Sequence, residues 1–278
     1  MSFKQGTDPV AARPVIAVIL AAGSGRRMGG RQPKQFARVA GRTVLSYTLE
    51  KFQEHPEVDA IVAVCPEARI EDVRELCELH GITKLKTVCA GGSDRRESSF
   101  RGVKAAAMIA KAPDAIVLIH DGARPNVDAR TISDNIMLAV QCGACVTATP
   151  AVDTVVIADE AGFVSGQPDR RRVWNVQTPQ SFRLSMILEA HEEYERHMRA
   201  GDNVPHITDD GGLVRFLGRP VAICAAGADN FKLTVPEDLR RFRALVRRRD
   251  IGRGGETVRR DRPHDLRDPK EDRGDNAK

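Results

Sequence analysis

The chain has 278 residues, of which 41% are hydrophobic, 4% aromatic and 29% charged. This is the composition of a globular domain, and it excludes collagen-like, mucin-like and coiled-coil proteins. The 43 lysines and arginines exceed the 38 acidic residues, for a net charge of +5, which keeps a nucleic-acid-binding protein among the alternatives. The length allows one large domain or two small ones. We expect one folded domain with short additions at its ends.

The sequence lacks the pattern of a membrane span or a secretory signal. The longest apolar stretch covers only residues 15–23, far less than a span requires, and residues 1–14 have no apolar signal core. Six cysteines scattered along the chain are typical of reduced thiols. Cys142 and Cys145 have the spacing of a metal-binding pair, but without a second pair a structural role is favoured. We therefore expect a cytoplasmic protein that is not bound to a membrane.

Four apolar segments rich in β-branched residues are predicted to form buried strands, because each runs into Gly, Pro or Asp-Gly. Between them, apolar residues recur every three or four positions, which predicts helices. This alternation indicates an α/β fold with a doubly wound, mostly parallel (Rossmann-like) sheet. The predicted strands cover 15–20, 60–65, 115–120 and 144–149, and the predicted helices cover 43–52, 70–80, 98–109 and 129–141.

Residues 150–173 interrupt the alternation. Two short segments, 153–158 and 163–165, flank the turn signal at 159–162 and predict a β-hairpin arm. Such an excursion from a compact sheet is usually a lid or a dimer contact. The predicted organisation is an N-terminal extension at 1–13, a folded domain at 14–249 and a disordered charged tail at 250–278, where apolar residues are almost absent.

Six arginines lie between Arg240 and Arg249, in the C-terminal part of a predicted helix. Cations are favoured there by the helix dipole. A base-reading motif with interleaved aromatic residues does not accompany them. RNA binding is therefore the non-enzymatic alternative, and nucleic acid is not the expected partner.

The loop after the first strand carries the strongest chemical signal, since ligands bind at the carboxyl ends of strands in open α/β sheets. Residues 21–28 (AAGSGRRM) combine small residues, which let backbone N–H groups approach a phosphate, with two arginines. The loop lacks the Gly-Lys-Ser/Thr of a Walker A motif. Met28 stands where a dinucleotide fingerprint has its third glycine. A nicotinamide oxidoreductase remains the alternative enzyme class.

The segment 33–35 (PKQ) follows this loop, and the two together resemble the signature of sugar nucleotidyltransferases. Four further segments narrow the resemblance to the 2-C-methyl-D-erythritol 4-phosphate cytidylyltransferase family. They are 120–125 (HDGARP), 177–182 (QTPQSF), 208–210 (TDD) and 229–238 (DNFKLTVPED). The resemblance implies that CMP passes from CTP to 2-C-methyl-D-erythritol 4-phosphate, with release of pyrophosphate, in non-mevalonate isoprenoid precursor synthesis.

Cations must dominate such a site, because charge develops on a phosphorus atom that a second phosphate attacks. The resemblance assigns Arg27 and Lys34 to the transition state at the α-phosphate, and their position after a Gly-rich turn supports the same role. It assigns Arg170 and Lys232 to orienting the polyol phosphate. Three consecutive arginines, 170–172, leave the register of Arg170 open by one position.

Asp121 directly follows a predicted buried strand, where a carboxylate is costly unless it meets a metal or a hydroxyl. The resemblance assigns Asp121 and Asp229 to Mg²⁺, the expected cofactor, although either could instead cap a helix. Ser98 could also be a helix cap, and Arg124 could be structural. The implied CTP contacts are Ala21, Ala22, Gly23, Gly25, Gly92, Ser93, Ser98, Asp121 and Gly122, and the implied polyol contacts are Arg124, Thr154, Thr178 and Thr208.

Thr154 and Arg170 flank the predicted arm. Because the arm of this family reaches into a neighbouring subunit, the resemblance implies a homodimer with composite active sites. The segment 153–157 (DTVVI) departs from the family, which commonly has a lysine shortly after Asp-Thr. This apolar version also resembles ribitol 5-phosphate cytidylyltransferase, which is the alternative function. The segments at 120–125 and 207–211 favour the methylerythritol branch.

Overall fold

The structure is a computed structural model that describes residues 13–23 and 33–252. Gly25 and Arg27 lie outside the described residues, as do almost all of the N-terminal extension and the C-terminal tail. The three domain boundaries stay predictions. The last helix runs through Gly252, so it continues past residue 249, where we placed the end of the folded domain.

Seven helices and eleven strands occur in the described residues. The helices are α1 (Val44–Gln53), α2 (Ile70–Leu79), α3 (Arg95–Ala110), α4 (Ala129–Cys142), α5 (Leu184–Ala200), α6 (Asp210–Phe216) and α7 (Pro236–Gly252). The strands are β1 (Val15–Leu20), β2 (Arg38–Val39), β3 (Arg42–Thr43), β4 (Ala60–Cys65), β5 (Leu85–Ala90), β6 (Ile116–Asp121), β7 (Ala144–Pro150), β8 (Ile157–Ala158), β9 (Val164–Gly166), β10 (Trp174–Arg183) and β11 (Ala222–Ala225).

A seven-stranded sheet in the order β11-β7-β10-β6-β1-β4-β5 forms the centre of the molecule. β1 pairs in parallel with β4 and β6, and the edge pairs β4–β5 and β7–β11 are also parallel. β10 alone is antiparallel, and it lies between β6 and β7. The prediction of a doubly wound, mostly parallel α/β sheet is confirmed.

Both faces of the sheet are covered by helices, because the side chains of each central strand alternate between the faces. Ala17 and Ile19 of β1 contact a buried cluster formed with α1, α2 and α4. Ile16 and Val18 contact a second buried cluster formed with α3, α5 and α6. A third cluster joins α7 to β2 and α1 through the edge-to-face rings of Phe242 and Tyr47.

The start of α3 differs from the prediction. Asp94 caps this helix, and its side chain accepts a hydrogen bond from Glu97 N at 2.7 Å. The helix therefore begins at Arg95, three residues before the predicted start, and Ser98 lies inside its first turn. The alternative that Ser98 is the cap is wrong, because Asp94 already satisfies the exposed amides of the first turn.

The hairpin arm is present but shorter than predicted. β8 and β9 pair in an antiparallel ladder of two and three residues, whereas the sequence predicts strands at 153–158 and 163–165. The arm exposes apolar side chains: Phe163 is 72% exposed and Val164 66%. In the described part of the chain, no helix combines the length and apolarity that crossing a membrane requires.

Gly102 permits the close approach of α3 to the sheet. A Cβ atom at this position would collide with the Val18 side chain of β1 and lie 2.8 Å from Val64 Cγ2 of β4. Gly102→Ala is expected to lower the free energy of unfolding by about 1–3 kcal/mol, because overpacking outweighs the gain in helix propensity. Chemical denaturation measures this change.

Gly227→Ala is the matched control, since an added Cβ there meets nothing within 4 Å. It should leave the free energy of unfolding within about 0.5 kcal/mol of the wild type. Equal stability of the Gly102→Ala variant and the control would contradict close packing at the α3 face.

Candidate active site

A cavity of about 690 Å³ opens at the carboxyl ends of β1, β5 and β6. This is the expected place for a ligand in an open α/β sheet. The cavity is lined by the segments that directly follow these three strands, by the turn at residues 34–35 and by the segment before α7. The lining residues include Leu20, Ala22, Gly23, Lys34, Gln35, Gly92, Ser93, Asp94, Arg95, Ser98, Asp121, Ala123, Lys232 and Thr234.

Gln35 fixes the loop after β1. Its side-chain amide is buried and donates to the carbonyl oxygens of Ala21 at 2.6 Å and Gly23 at 2.8 Å. Lys34 precedes it in a 3₁₀ turn and lines the cavity. We did not predict a role for Gln35, although it belongs to the PKQ segment that indicated the loop.

The segment before α3 forms a second wall. Ser98 Oγ accepts a hydrogen bond from Gly92 N at 3.0 Å and donates to the Asp94 carbonyl oxygen at 2.8 Å. The Glu97 carboxylate accepts hydrogen bonds from the backbone and hydroxyl of Ser93, and with Arg101 these lower the pKa of Glu97 to about 2. The side chains of this turn therefore hold one another in place. Gly92, Ser93 and Ser98 line the cavity, and their contact with CTP stays a prediction.

Asp121 ends β6 and lies buried at the floor of the cavity. Its Oδ2 lies 2.9 Å from Lys232 Nζ and 3.2 Å from Arg124 Nε, and its Oδ1 lies 4.0 Å from Arg95 Nε. Burial alone would raise the pKa of this carboxyl, but Lys232, Arg95 and Arg124 outweigh burial and hold it well below its usual range. Asp121 is therefore ionised at neutral pH.

Three residues predicted to contact the ligands lie behind the cavity wall. Arg124 is buried and donates to the Asn230 carbonyl oxygen at 2.8 Å, which supports the structural role that the sequence left open. Thr178 Oγ1 accepts from Asp121 N at 3.0 Å. Gly122 N donates to the Leu20 carbonyl oxygen at 2.8 Å. Their contact with ligands stays a prediction.

Arg95 was missed by the sequence analysis, although it belongs to the glycine-rich segment at 91–98. Its side chain is 30% exposed at the cavity, and Nη1 lies 2.8 Å from Asp210 Oδ2. Burial would lower the pKa of Arg95, but Asp210 and Asp121 outweigh burial and raise it above its usual value. This guanidinium adds a fixed positive charge to the cavity wall.

The remaining residues predicted to bind the polyol phosphate fall into two groups by their position relative to the cavity. Lys232 lines the cavity, whereas Arg170, Thr154 and Thr208 are exposed and are not among its lining residues. Arg170 donates to the Val152 carbonyl oxygen at 3.2 Å. In a single chain, six of the nine predicted CTP contacts line the cavity, namely Ala22, Gly23, Gly92, Ser93, Ser98 and Asp121. The arm residues Arg170 and Thr154 lie apart from them.

The two predicted metal ligands also differ. Asp229 pairs with Arg241 at 3.0 Å, with 70% of its side chain exposed. The described residues contain no group of three His, Cys, Asp or Glu that could hold a metal ion. Mg²⁺ usually binds one or two carboxylates and substrate phosphates, so Asp121 fits the role and Asp229 as a second ligand stays a prediction. Neither residue caps a helix, because the next helices begin at Ala129 and Pro236.

Replacing Asp121 by Asn should destabilise the ligand-free protein by about 3 kcal/mol, because three cations lose their buried counter-charge. The depressed pKa fixes the pH dependence. The contribution of Asp121 is present above the ordinary pKa of about 3.9 and is lost only as the pH falls below it. Urea denaturation at pH 7 and pH 5 should therefore give the same difference from the wild type.

Asp229→Asn removes a carboxylate from the exposed pair with Arg241 and is the matched control. It should change the free energy of unfolding by less than about 1 kcal/mol, since water screens this pair. A stability of Asp121→Asn equal to that of the wild type would contradict the charge cluster.

The comparisons with known proteins identify the family. A family model described as 2-C-methyl-D-erythritol 4-phosphate cytidylyltransferase (IspD) matches residues 15–248. A protein of that name from Syntrophotalea carbinolica is 38% identical over 226 residues, which are 81% of this chain and 93% of the relative. Another from Halalkalibacterium halodurans is 39% identical over 222 residues, 80% of this chain and 92% of the relative.

A solved structure of a 4-diphosphocytidyl-2C-methyl-D-erythritol synthase from Anaerococcus prevotii is similar to this chain with a TM-score of 0.71. The sequences are 30% identical, and the match covers 86% of this chain and 98% of that chain. The family model and the relatives each span most of the described fold. The chain therefore belongs to the 2-C-methyl-D-erythritol 4-phosphate cytidylyltransferase family.

Proposed function

We propose that this protein transfers CMP from CTP to 2-C-methyl-D-erythritol 4-phosphate, yielding 4-diphosphocytidyl-2-C-methyl-D-erythritol and pyrophosphate, for isoprenoid precursor synthesis. A phosphate oxygen of the acceptor attacks the α-phosphorus of CTP, and the bond from that phosphorus to the oxygen bridging to the β-phosphate breaks. The observation that carries the proposal is the cavity at the strand ends. It is lined by the cations Lys34, Lys232 and Arg95 together with the loop after β1 and the segment before α3. Its volume of about 690 Å³ suits a ligand of nucleotide size.

The roles follow from the positions of the side chains. The small residues Ala22 and Gly23 leave space for phosphates beside β1, and Gly92 and Ser98 stand where the family reads the base and ribose. Lys34 stabilises the charge that develops on the α-phosphate. Arg27 shares that role in the prediction and lies outside the described residues. Lys232, which lies 2.9 Å from Asp121 Oδ2, orients the acceptor phosphate.

Binding of Mg²⁺ is part of the proposal, and the position of the Asp121 carboxylate in the cavity supports it. The Oδ1 atom lies 4.0 Å from Arg95 Nε, whereas Oδ2 accepts from Lys232 at 2.9 Å and from Arg124 at 3.2 Å. Oδ1 is therefore the oxygen that would contact a metal. When bound, Mg²⁺ neutralises phosphate charge in the transition state.

A homodimer is also part of the proposal, and the exposed apolar arm supports it. Four apolar side chains of the arm and its base are between 48% and 72% exposed: Val156, Ile157, Phe163 and Val164. A patch of this kind on a projecting hairpin is typical of a protein contact. The arm of a second copy would bring Arg170 and Thr154 to the cavity. A cytoplasmic location is supported by the six free cysteines.

The acceptor separates the proposed function from the ribitol 5-phosphate alternative. The purified protein with CTP and Mg²⁺ should release pyrophosphate with 2-C-methyl-D-erythritol 4-phosphate and not with ribitol 5-phosphate. The names of the relatives support this choice. Release with ribitol 5-phosphate alone would keep the chemistry and overturn the acceptor.

Lys34→Ala in the same assay should reduce turnover by about a thousandfold, because Lys34 acts on charge that develops in the transition state. Lys86→Ala is the matched control, since Lys86 is exposed on β5 and is not a lining residue of the cavity. Its turnover should equal that of the wild type. Near-normal turnover of Lys34→Ala would contradict the assigned site.

Composite active sites predict complementation between two inactive variants. Lys34→Ala damages the cavity of its own chain, whereas Arg170→Ala damages the cavity of the other chain. Equal mixing with subunit exchange should restore about a quarter of wild-type activity, because half of the dimers are mixed and each mixed dimer has one intact site.

Mixing of Lys34→Ala with Lys232→Ala is the control and should restore no activity. Both lysines line the cavity of their own chain, so each mixed dimer has no intact site.

Arg171→Ala, used in place of Arg170→Ala, tests which arginine of the arm acts, because Arg171 already pairs with Asp169 at 2.7 Å. Failure of the first mixture to recover activity would contradict the shared site.

A further inference from the structure

Asp210 is a fully buried carboxylate at the first residue of α6. Burial of an ionised carboxylate is costly unless partners compensate for the lost water. The Oδ1 atom accepts a hydrogen bond from Ser99 Oγ at 2.5 Å, and Oδ2 lies 2.8 Å from Arg95 Nη1. Both partners belong to the first turns of α3, more than 110 residues earlier in the chain.

The other group near this carboxylate carries no charge at neutral pH. His191 Nε2 lies 3.7 Å from Asp210 Oδ1, and its ring stacks on Phe100. Burial lowers the pKa of His191 to about 4. Among the ion pairs of residues 13–23 and 33–252, Arg95 is therefore the cation that compensates Asp210.

The backbone of Asp210 is fixed independently of Arg95. Gln180 of β10 accepts hydrogen bonds from Asp210 N and Gly211 N, each at 3.0 Å. The Gln180 amide also donates to Asp209 Oδ2 at 2.9 Å. Since the sheet holds Asp210 from one side, its carboxylate is the fixed partner, and the longer Arg95 side chain takes its position from it.

Arg95 reaches the cavity from this anchor. The guanidinium lies between Asp210 behind the wall and Asp121 in the site, and 30% of the side chain is exposed. An arginine has five N–H donors, so a guanidinium held at Nη1 can still present donors to a ligand. Without the anchor, a long side chain at this place would sample several rotamers.

We propose that Asp210 is a positioning residue for CTP, which holds the Arg95 guanidinium in the cavity wall in the orientation that contacts the nucleotide. The inference rests on the proposed function only in taking CTP as the occupant of the cavity. Asp210 itself does not touch the nucleotide. Its effect is transmitted through Arg95.

The experiment is a double-mutant cycle on Asp210→Asn and Arg95→Ala, read by CTP titration calorimetry and by steady-state kinetics. Asp210→Asn keeps the shape of the side chain and removes its charge. It should raise the Kd and KM of CTP about tenfold. This is the effect expected when the Arg95 guanidinium loses a charged hydrogen bond to the nucleotide. The value of kcat and the KM of the acceptor should change less than about threefold.

Coupling through Arg95 predicts a non-additive cycle. In the Arg95→Ala background, Asp210→Asn should raise the CTP Kd no further. Ser99→Ala is the matched control, because it removes the other partner of the Asp210 carboxylate and leaves the ion pair intact. Its CTP Kd should stay within about threefold of the wild type.

Additive effects of the two substitutions would overturn the proposal, as would a fall in kcat with an unchanged CTP Kd. If Asp210→Asn does not fold, the double variant without either charge answers the same question against Arg95→Ala alone. A further rise in Kd in the double variant would overturn the coupling. CTP binding without turnover of the acceptor would overturn the proposed function and leave this inference intact, whereas a wild type that binds no CTP would overturn both.

Discussion

The charge balance around Asp121 is the interaction on which the site depends. Three cations of the described residues lie within 4.0 Å of this carboxylate: Arg95, Arg124 and Lys232. They come from three separate parts of the chain, and such like charges repel one another strongly where water is scarce. The negative charge of Asp121 offsets this repulsion before any substrate binds. The positive field that a phosphoryl-transfer reaction needs is therefore assembled in advance, with no reorganisation left for the reactive step.

The antiparallel strand β10 explains how so many polar groups converge at one edge of the sheet. It lies between β6 and β7, so its residues reach both the Asp121 side and the α6 side. Thr178 bonds the backbone of Asp121, and Gln180 bonds the backbone of Asp210. Asn230 adds a bond to the Thr178 carbonyl oxygen at 2.8 Å. One strand thus fixes the backbone of both residues whose carboxylates hold Arg95.

The sequence predicted the parts of the fold that are governed by local hydrophobicity. The bounds of β1 and β4 agree with the prediction to the residue, because both strands are apolar on both faces. We did not predict β10, since its polar QTPQ segment has no strand pattern, and its pairing depends on neighbours far away in sequence. Arg95 was missed for the same reason. Its partner Asp210 lies more than a hundred residues further along the chain, and no spacing rule connects the two.

The incomplete gathering of the predicted residues is itself informative about how the two substrates meet. The cavity of one chain is lined by several of the residues assigned to the nucleotide and by the cations Lys34, Lys232 and Arg95. The acceptor is also a phosphate, so its approach to a triphosphate requires further positive charge to offset their mutual repulsion. The arm carries three consecutive arginines, and these are exposed in the single chain. Arg171 is paired with Asp169, whereas Arg170 donates to a backbone carbonyl oxygen and has no carboxylate partner among the described residues. Both guanidinium groups are charged, but the charge of Arg171 is already offset by a carboxylate, whereas that of Arg170 is bound to a neutral carbonyl and can pair with a phosphate dianion. If a second chain supplies an arginine to the cavity, as we propose, this difference favours Arg170 over Arg171.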